Sequence, residues 1–276
     1  MQLIINRAIE EDLGDGDHTT LAVIPSGQEA EAYIHCKSEG IIAGTEVAAR
    51  IFRTFNDQMK IHILKPDGSR VNPGDRIIRV NGSARAILSA ERLVLNFLQR
   101  LCGNATATRR LSVLLEGTHT HLLDTRKTTP LLRKLEKWAV QVGGGNNHRI
   151  GLYDMIILKD NHIDYAGGIA NAIGMVTDYL QREKKNLKIE VETRSLNEVT
   201  EVLNTGGVDF IMLDNMTIDD IKTAVAMING RYKTEASGNI NEHNIREVAL
   251  CGVDFISVGA ITHSVKSMDL SLKAEI

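Results

Sequence analysis

Gly206-Gly207-Val208-Asp209-Phe210 and Cys251-Gly252-Val253-Asp254-Phe255 repeat one passage: a helical stretch closes on glycine and the chain steps into an apolar strand. Working outward, Asp214 to Ser237 is 23 residues and Ser237 to Gly259 is 22, one β-α unit each time. Short apolar strands alternate with helical stretches throughout this region: Leu122-Leu123-Asp124, Met155-Ile156-Ile157-Leu158, Ile189-Glu190-Val191-Glu192, Phe210-Ile211-Met212-Leu213, Thr234-Glu235-Ala236 and Phe255-Ile256-Ser257-Val258. Six units in series predict a parallel sheet. Neither GxGxxG nor a P-loop follows any strand, which disfavours a doubly wound sheet. The expected fold class is α/β, an open six- to seven-stranded β/α barrel.

The first hundred residues read differently. Extended runs at Ala32-Tyr33-Ile34-His35-Cys36, Lys60-Ile61-His62-Ile63-Leu64 and Arg76-Ile77-Ile78-Arg79-Val80 are punctuated by Pro66-Asp67-Gly68, Pro73-Gly74-Asp75 and Asn81-Gly82-Ser83, read as turns, with one helix from about Glu46 to Asn56. This predicts a smaller N-terminal α+β domain on an antiparallel sheet. A long helical segment follows, with Ile87, Val94, Leu98 and Leu101 on one stripe and Leu88, Leu95 and Cys102 on the next, so it is expected to pack on two sides. The expected division is a capping domain over residues 1–102 and a barrel over 103–265, with the tail from about 266 to 276 packing on the first domain.

Composition narrows the classes. The chain has 276 residues, 43% of them apolar, only four prolines and no low-complexity stretch, as expected of a folded protein. A formal net charge of −3 argues against a general nucleic-acid binder. No run of apolar residues reaches membrane-spanning length and no targeting signal stands at the start, so a cytoplasmic protein with no membrane partner is expected. Cys36, Cys102 and Cys251 are far apart and odd in number, which fits buried thiols rather than disulfides or zinc. The acidic run Asp12-Leu13-Gly14-Asp15-Gly16-Asp17 lacks calcium-loop spacing and reads as a turn.

Chemistry in β/α barrels collects where strands end. Here the strand ends run into Asp124-Thr125-Arg126-Lys127-Thr128, Lys159-Asp160-Asn161-His162, Glu192, Asp214-Asn215, Ser237-Gly238-Asn239 and Gly259-Ala260, and Gly143-Gly144-Gly145-Asn146-Asn147-His148-Arg149 precedes the second strand. Arg126, Lys127, Arg149 and Lys159, with His148, would concentrate positive charge, and burying such ions unpaired costs on the order of several kcal/mol each. A polyanionic ligand bearing phosphates or carboxylates would supply the missing charge. Glu192 and Asp214 are expected either to pair with those cations or to hold Mg²⁺ carrying phosphate oxygens. The small residues at Ser237-Gly238-Asn239 and Val258-Gly259-Ala260 suit a terminal phosphate. Arg92 faces away from the Ile87 stripe, which reads as solvent; His162, His263 and Trp138 read as structural.

These residues, together with Glu91-Arg92-Leu93-Val94-Leu95-Asn96-Phe97-Leu98-Gln99, Leu213-Asp214-Asn215 and Val258-Gly259-Ala260-Ile261-Thr262-His263-Ser264, resemble in order the motifs of the quinolinate phosphoribosyltransferases, over nearly the whole chain. The resemblance implies transfer of phosphoribosyl from phosphoribosyl pyrophosphate to quinolinate with Mg²⁺ and no organic cofactor, giving nicotinate mononucleotide, pyrophosphate and CO₂ in NAD biosynthesis. It assigns Arg126, His148, Arg149 and Lys159 to the quinolinate carboxylates, with Thr125 in the same motif, and shares Lys127 with the pyrophosphate. Glu192 and Asp214 go to the ribose hydroxyls and metal, and Ser237, Gly238, Asn239, Val258, Gly259 and Ala260 to the 5-phosphate loops. Lys127, Lys159, Glu192 and Asp214 form the catalytic set. Arg92 matches an arginine given by the neighbouring subunit, so a homodimer is implied. Leu131, where the family often has glycine, and Gly103-Asn104-Ala105 depart from the pattern without touching a charged position. Rival readings are a related phosphoribosyltransferase-like protein of molybdenum-gene clusters, an aldolase-like barrel with Lys159 as Schiff-base lysine, and a non-catalytic anion-binding protein.

Overall fold

The computed structural model describes residues 1–275. It divides into two compact units. The first opens with helices α1 (Gln2–Leu13) and α2 (His18–Val23), then strands β1 (Glu29–Cys36) and β2 (Gly40–Ile41), helix α3 (Thr45–Phe55), strands β3 (Lys60–Ile63), β4 (Arg70–Val71) and β5 (Arg76–Ser83), and the long helix α4 (Ala84–Leu114). β1 pairs antiparallel with β5, Ile34 opposite Ile78, and β3 lies on the far side of β5, Ile61 opposite Val80. Ile34, Ile78 and Val80 are fully buried, packed with Phe52 of α3 and Val94 and Leu98 of α4. Turn chemistry holds this sheet in place: Asp67 accepts the Thr45 N–H that begins α3 at 3.0 Å, and Asp17 caps α2 by accepting from Thr20 at 3.0 Å.

Two expectations need correction here. Asn81-Gly82-Ser83 is not a turn but the end of β5, where Ala30 pairs with Gly82 and Glu29 with Ser83. Glycine suits that position because a side chain would meet Met59 Cγ at 3.2 Å and the local φ is +147°. On α4, Leu95 and Cys102 are buried but Leu88 is 41% exposed, so the second apolar stripe begins one turn later than read.

The second unit, Arg110–Thr128 with Gly145–His263, carries the parallel sheet. Strand β6 (His121–Leu123) leads to helix α5 (Arg133–Val142), which belongs to the first unit, and then to β7 (Ile156–Leu158). Helices α6 (Asp160–Ala166) and α7 (Ile169–Arg182) precede β8 (Ile189–Thr193); α8 (Leu196–Thr205), β9 (Phe210–Asp214), α9 (Ile218–Ile228), β10 (Lys233–Ser237), α10 (Ile245–Leu250), β11 (Phe255–Ser257) and α11 (Ala260–His263) follow. The strand order is β6-β11-β10-β9-β8-β7, so the first strand pairs with the last and the barrel-like sheet is open between β6 and β7. At that seam Asn146 lies parallel to Leu123, its N–H donating to the Leu122 carbonyl at 2.8 Å, a one-residue extension of the sheet.

The repeated passages do the same job twice. Asp209 accepts the Ile189 N–H at 2.8 Å, and Asp254 accepts the Thr234 N–H at 2.9 Å, each fixing the entry of a neighbouring strand. Beyond the barrel, β12 (Leu270–Glu275) pairs antiparallel with β1 in the first unit's four-stranded sheet, of order β12-β1-β5-β3. The two units are discontinuous in sequence: Thr129–Gly144 and the stretch from Ser264 belong with the first, and α4 runs straight through residues 102 and 103. No helix of the described residues is long and apolar enough to cross a membrane.

Candidate active site

At the C-terminal ends of the six strands the barrel encloses a cavity of about 760 Å³. Its wall carries Thr125, Arg126 and Lys127 after β6, His148 and Arg149 from the glycine-rich segment, Lys159 after β7, Glu192 on β8 and Asp214 on β9. Ser237, Gly238 and Asn239 close the wall at β10, and Val258, Gly259 and Ala260 at β11. Residues from every strand end therefore meet in one opening. Arg92 is not among these residues; it stands exposed on α4 in the other unit.

The cations are not left as uncompensated as the sequence led us to expect. Lys159 Nζ lies 2.9 Å from Glu192, a carboxylate only 9% exposed, and His148 Nε2 lies 3.1 Å from both Glu190 and Glu235. Arg149 donates to the Met155 carbonyl at 3.0 Å, yet burial first and the Arg126 guanidinium second pull its pKa down. Two guanidiniums in each other's field still favour an anion there. Burial works against a charge on the His148 ring, and the Glu190 and Glu235 carboxylates facing Nε2 work for one.

The wall at β10 and β11 is built from small residues. Gly238 takes φ +93°, and a Cβ on it would strike the Asn215 side chain. That side chain is itself held: Asn215 Nδ2 donates to Asp214 at 2.8 Å, Asn215 Oδ1 accepts from Asn239 Nδ2 at 2.9 Å, and its backbone stands at φ +52°. A Cβ on Gly259 would lie 2.9 Å from the His263 ring and 3.1 Å from Lys127 Cδ. Thr262 Oγ1 donates to the Lys127 carbonyl at 2.8 Å, tying the loop after β11 to the loop after β6.

Both halves of the chain match family models, the quinolinate phosphoribosyl transferase N-terminal domain over residues 17–102 and its C-terminal domain over residues 104–273. The chain belongs to the quinolinate phosphoribosyltransferase family. It is 45% identical over 291 residues to the chloroplastic nicotinate-nucleotide pyrophosphorylase [carboxylating] of Oryza sativa subsp. japonica, an alignment spanning 100% of this chain and 78% of that one. A probable nicotinate-nucleotide pyrophosphorylase [carboxylating] of Bacillus subtilis is 40% identical, covering 99% and 92% of the two chains. Among solved structures, NadC from Streptococcus pyogenes superposes with a TM-score of 0.94 at 39% identity, covering 99% of this chain and 95% of that one.

Several residues at this cavity carry no site assignment from the sequence. Asn215 and Glu235 line the cavity, as does His263, which had been read as structural. Glu190 stands two residues before Glu192 on the same face of β8, a period-two signal present in Ile189-Glu190-Val191-Glu192. Two groups of side chains could be asked to hold a metal. At Asp214 burial first, and the Glu192 charge next among the raising effects, lift the carboxyl pKa; both carboxylates stand on the cavity wall, and hard oxygen donors of this kind could hold Mg²⁺. His148, Glu190 and Glu235 also cluster within 4.8 Å, but His148 Nδ1 accepts the Arg149 N–H at 2.7 Å. A neutral imidazole ligating through Nε2 carries its proton on Nδ1, where it would collide with that donor, so this second group does not fit a metal.

Proposed function

We propose that this chain joins quinolinate to phosphoribosyl pyrophosphate, releasing pyrophosphate and CO₂ and forming nicotinate mononucleotide for NAD biosynthesis. The observation that carries the reading is the meeting of Arg126, Arg149 and Lys159 with Glu192, Asp214 and two small-residue loops in one cavity of a chain that matches both family domains. Three cations at one end suit the two carboxylates of a pyridine diacid, with Thr125 and His148 beside them. Ser237, Gly238, Asn239, Val258, Gly259 and Ala260 suit a 5-phosphate, and Lys127, beside Gly259, suits the leaving pyrophosphate.

Displacement of pyrophosphate from the anomeric carbon passes through an oxocarbenium-like state, so catalysis needs positioning and electrostatics rather than an activated nucleophile. The pyridine nitrogen attacks directly. Glu192 and Asp214 would orient the ribose hydroxyls and offset its developing positive charge; a Mg²⁺ held by the same pair would supply countercharge to the phosphate oxygens. Lys159, ion-paired with Glu192, serves as an ammonium donor rather than a Schiff-base amine. The pyridinium charge then stabilises the electron pair left on the adjacent ring carbon as its carboxylate departs as CO₂, and that carbon takes a proton from water. In this reading the active form is a homodimer in which Arg92 serves the partner's barrel and the N-terminal domain excludes water from it. The test is incubation with carboxyl-labelled quinolinate, phosphoribosyl pyrophosphate and Mg²⁺: labelled CO₂ should appear only with all components present, and folded protein that releases none refutes the reading.

A further inference from the structure

We propose that Glu190 and Glu235 are positioning residues: two carboxylates sealed at the floor of the barrel that hold the His148 ring and, through it, the Arg149 backbone at the end receiving the pyridine diacid. The inference rests on the function proposed above and concerns residues to which that mechanism gives no task.

Glu190 is 0% exposed and Glu235 1%, and all four of their carboxylate oxygens are sealed without a well-aligned hydrogen bond among the described residues. What they do face is one ring. His148 Nε2 stands 3.1 Å from an oxygen of each. The opposite nitrogen, Nδ1, accepts the Arg149 N–H at 2.7 Å, and the His148 N–H donates to Asp124, itself fully buried, at 2.8 Å. The ring is thereby held at both nitrogens, and the residue it holds next is Arg149, whose guanidinium lies on the cavity wall. On β8 the division of labour follows the strand's period of two: Glu192, nearer the strand end, serves Lys159, and Glu190, one step deeper, serves His148.

Burying two carboxylates this way works against folding, because apolar residues of similar volume are often neutral or stabilising in place of buried ions. A cost of this kind at the floor of a binding cavity is the mark of a group kept for the site. The same reasoning predicts an unusual pattern on removal. A merely structural pair, when broken, lowers stability and disturbs every substrate alike. A pair that acts through His148 disturbs the diacid alone and matters only while His148 is present.

The experiment is steady-state kinetics and thermal melting on Glu235→Leu, Glu235→Gln, Glu190→Gln, His148→Ala and the double variant His148→Ala/Glu235→Leu. Glu235→Leu should raise the quinolinate KM about tenfold and leave that for phosphoribosyl pyrophosphate within about twofold, with no fall in Tm. The two Gln variants, which keep an acceptor for Nε2, should recover part of the loss and serve as well if Glu235→Leu fails to fold. The double variant should be no worse than His148→Ala. Unchanged quinolinate KM, losses that add in the double variant, both KM values rising together with a lower Tm, or a stoichiometric metal in the purified wild-type protein that His148→Ala loses would each overturn the inference. Wild-type protein that does not turn over quinolinate would instead overturn the proposed function.

Discussion

Arg149 shows how a single side chain is tuned for a ligand. Its guanidinium reaches the Met155 carbonyl, but burial and Arg126 both work against its charge, so the site is short of negative charge where a diacid would bind. Arg149→Ala should therefore weaken quinolinate binding by about 2 kcal/mol or more, roughly thirtyfold in Kd, while circular dichroism stays that of the wild type. Unchanged affinity by calorimetry would take Arg149 out of the pocket. Such residues were legible in the sequence because charge at a strand end is conspicuous. Glu190 and Glu235 were less so: each lies inside a strand rather than at its end, and the partner that gives both meaning, His148, lies some forty or more positions away. His263 and Asn215 were missed for a related reason. They act by packing against Gly259 and Gly238, and a contact across two loops leaves no spacing to read.

At the scale of elements, the repeated Gly-Val-Asp-Phe passages turn a sequence pattern into a strand-entry clamp. Asp254 accepts from the Thr234 N–H at 2.9 Å and hydroxyl at 3.0 Å and pairs with Lys233 at 2.6 Å. Burial alone would raise its carboxyl pKa, but Lys233 and Thr234 hold it below the ordinary 3.8. A depressed folded-state pKa means that the unfolded chain binds the proton more readily. The clamp's contribution is thus complete above pH 3.8 and is lost as pH falls through the lower folded value. Asp254→Asn should cost about 1–3 kcal/mol at neutral pH, and the gap to wild type should shrink in acid melts below that value. A gap constant with pH would show that the carboxylate charge has no part in the clamp. The six parallel strands were legible because each is a short apolar run bounded by polar residues. The end of β5 was not, since Asn81-Gly82-Ser83 has turn composition, and the close approach of Met59 together with the φ of +147° explains a glycine in a strand. The pairing of β12 with β1 joins residues at opposite ends of the chain, beyond the reach of any local pattern.

At the scale of the whole molecule, the puzzle is Arg92. Every other residue that the resemblance assigned to substrate lies on one cavity wall within a single compact unit, while Arg92 is exposed on α4 in the other. An exposed arginine with no partner among the described residues is ordinary surface unless another chain brings it to a site. If the dimer proposed above is the active form, each active site needs an intact barrel from one subunit and an intact Arg92 from the other. Arg92→Ala and Arg126→Ala homodimers would then both be impaired, the first lacking the donated arginine and the second lacking the barrel's own. Mixing and refolding the two gives heterodimers with one doubly damaged site and one wholly intact. Random pairing makes half of the dimers mixed, so about a quarter of all sites should recover, and activity should rise toward that fraction of wild type. If Arg92 served its own chain, every site in the mixture would still lack one arginine, and activity would stay at the level of the parents. Size-exclusion chromatography of the mixture, showing dimers in both cases, keeps failed assembly from passing as failed sharing.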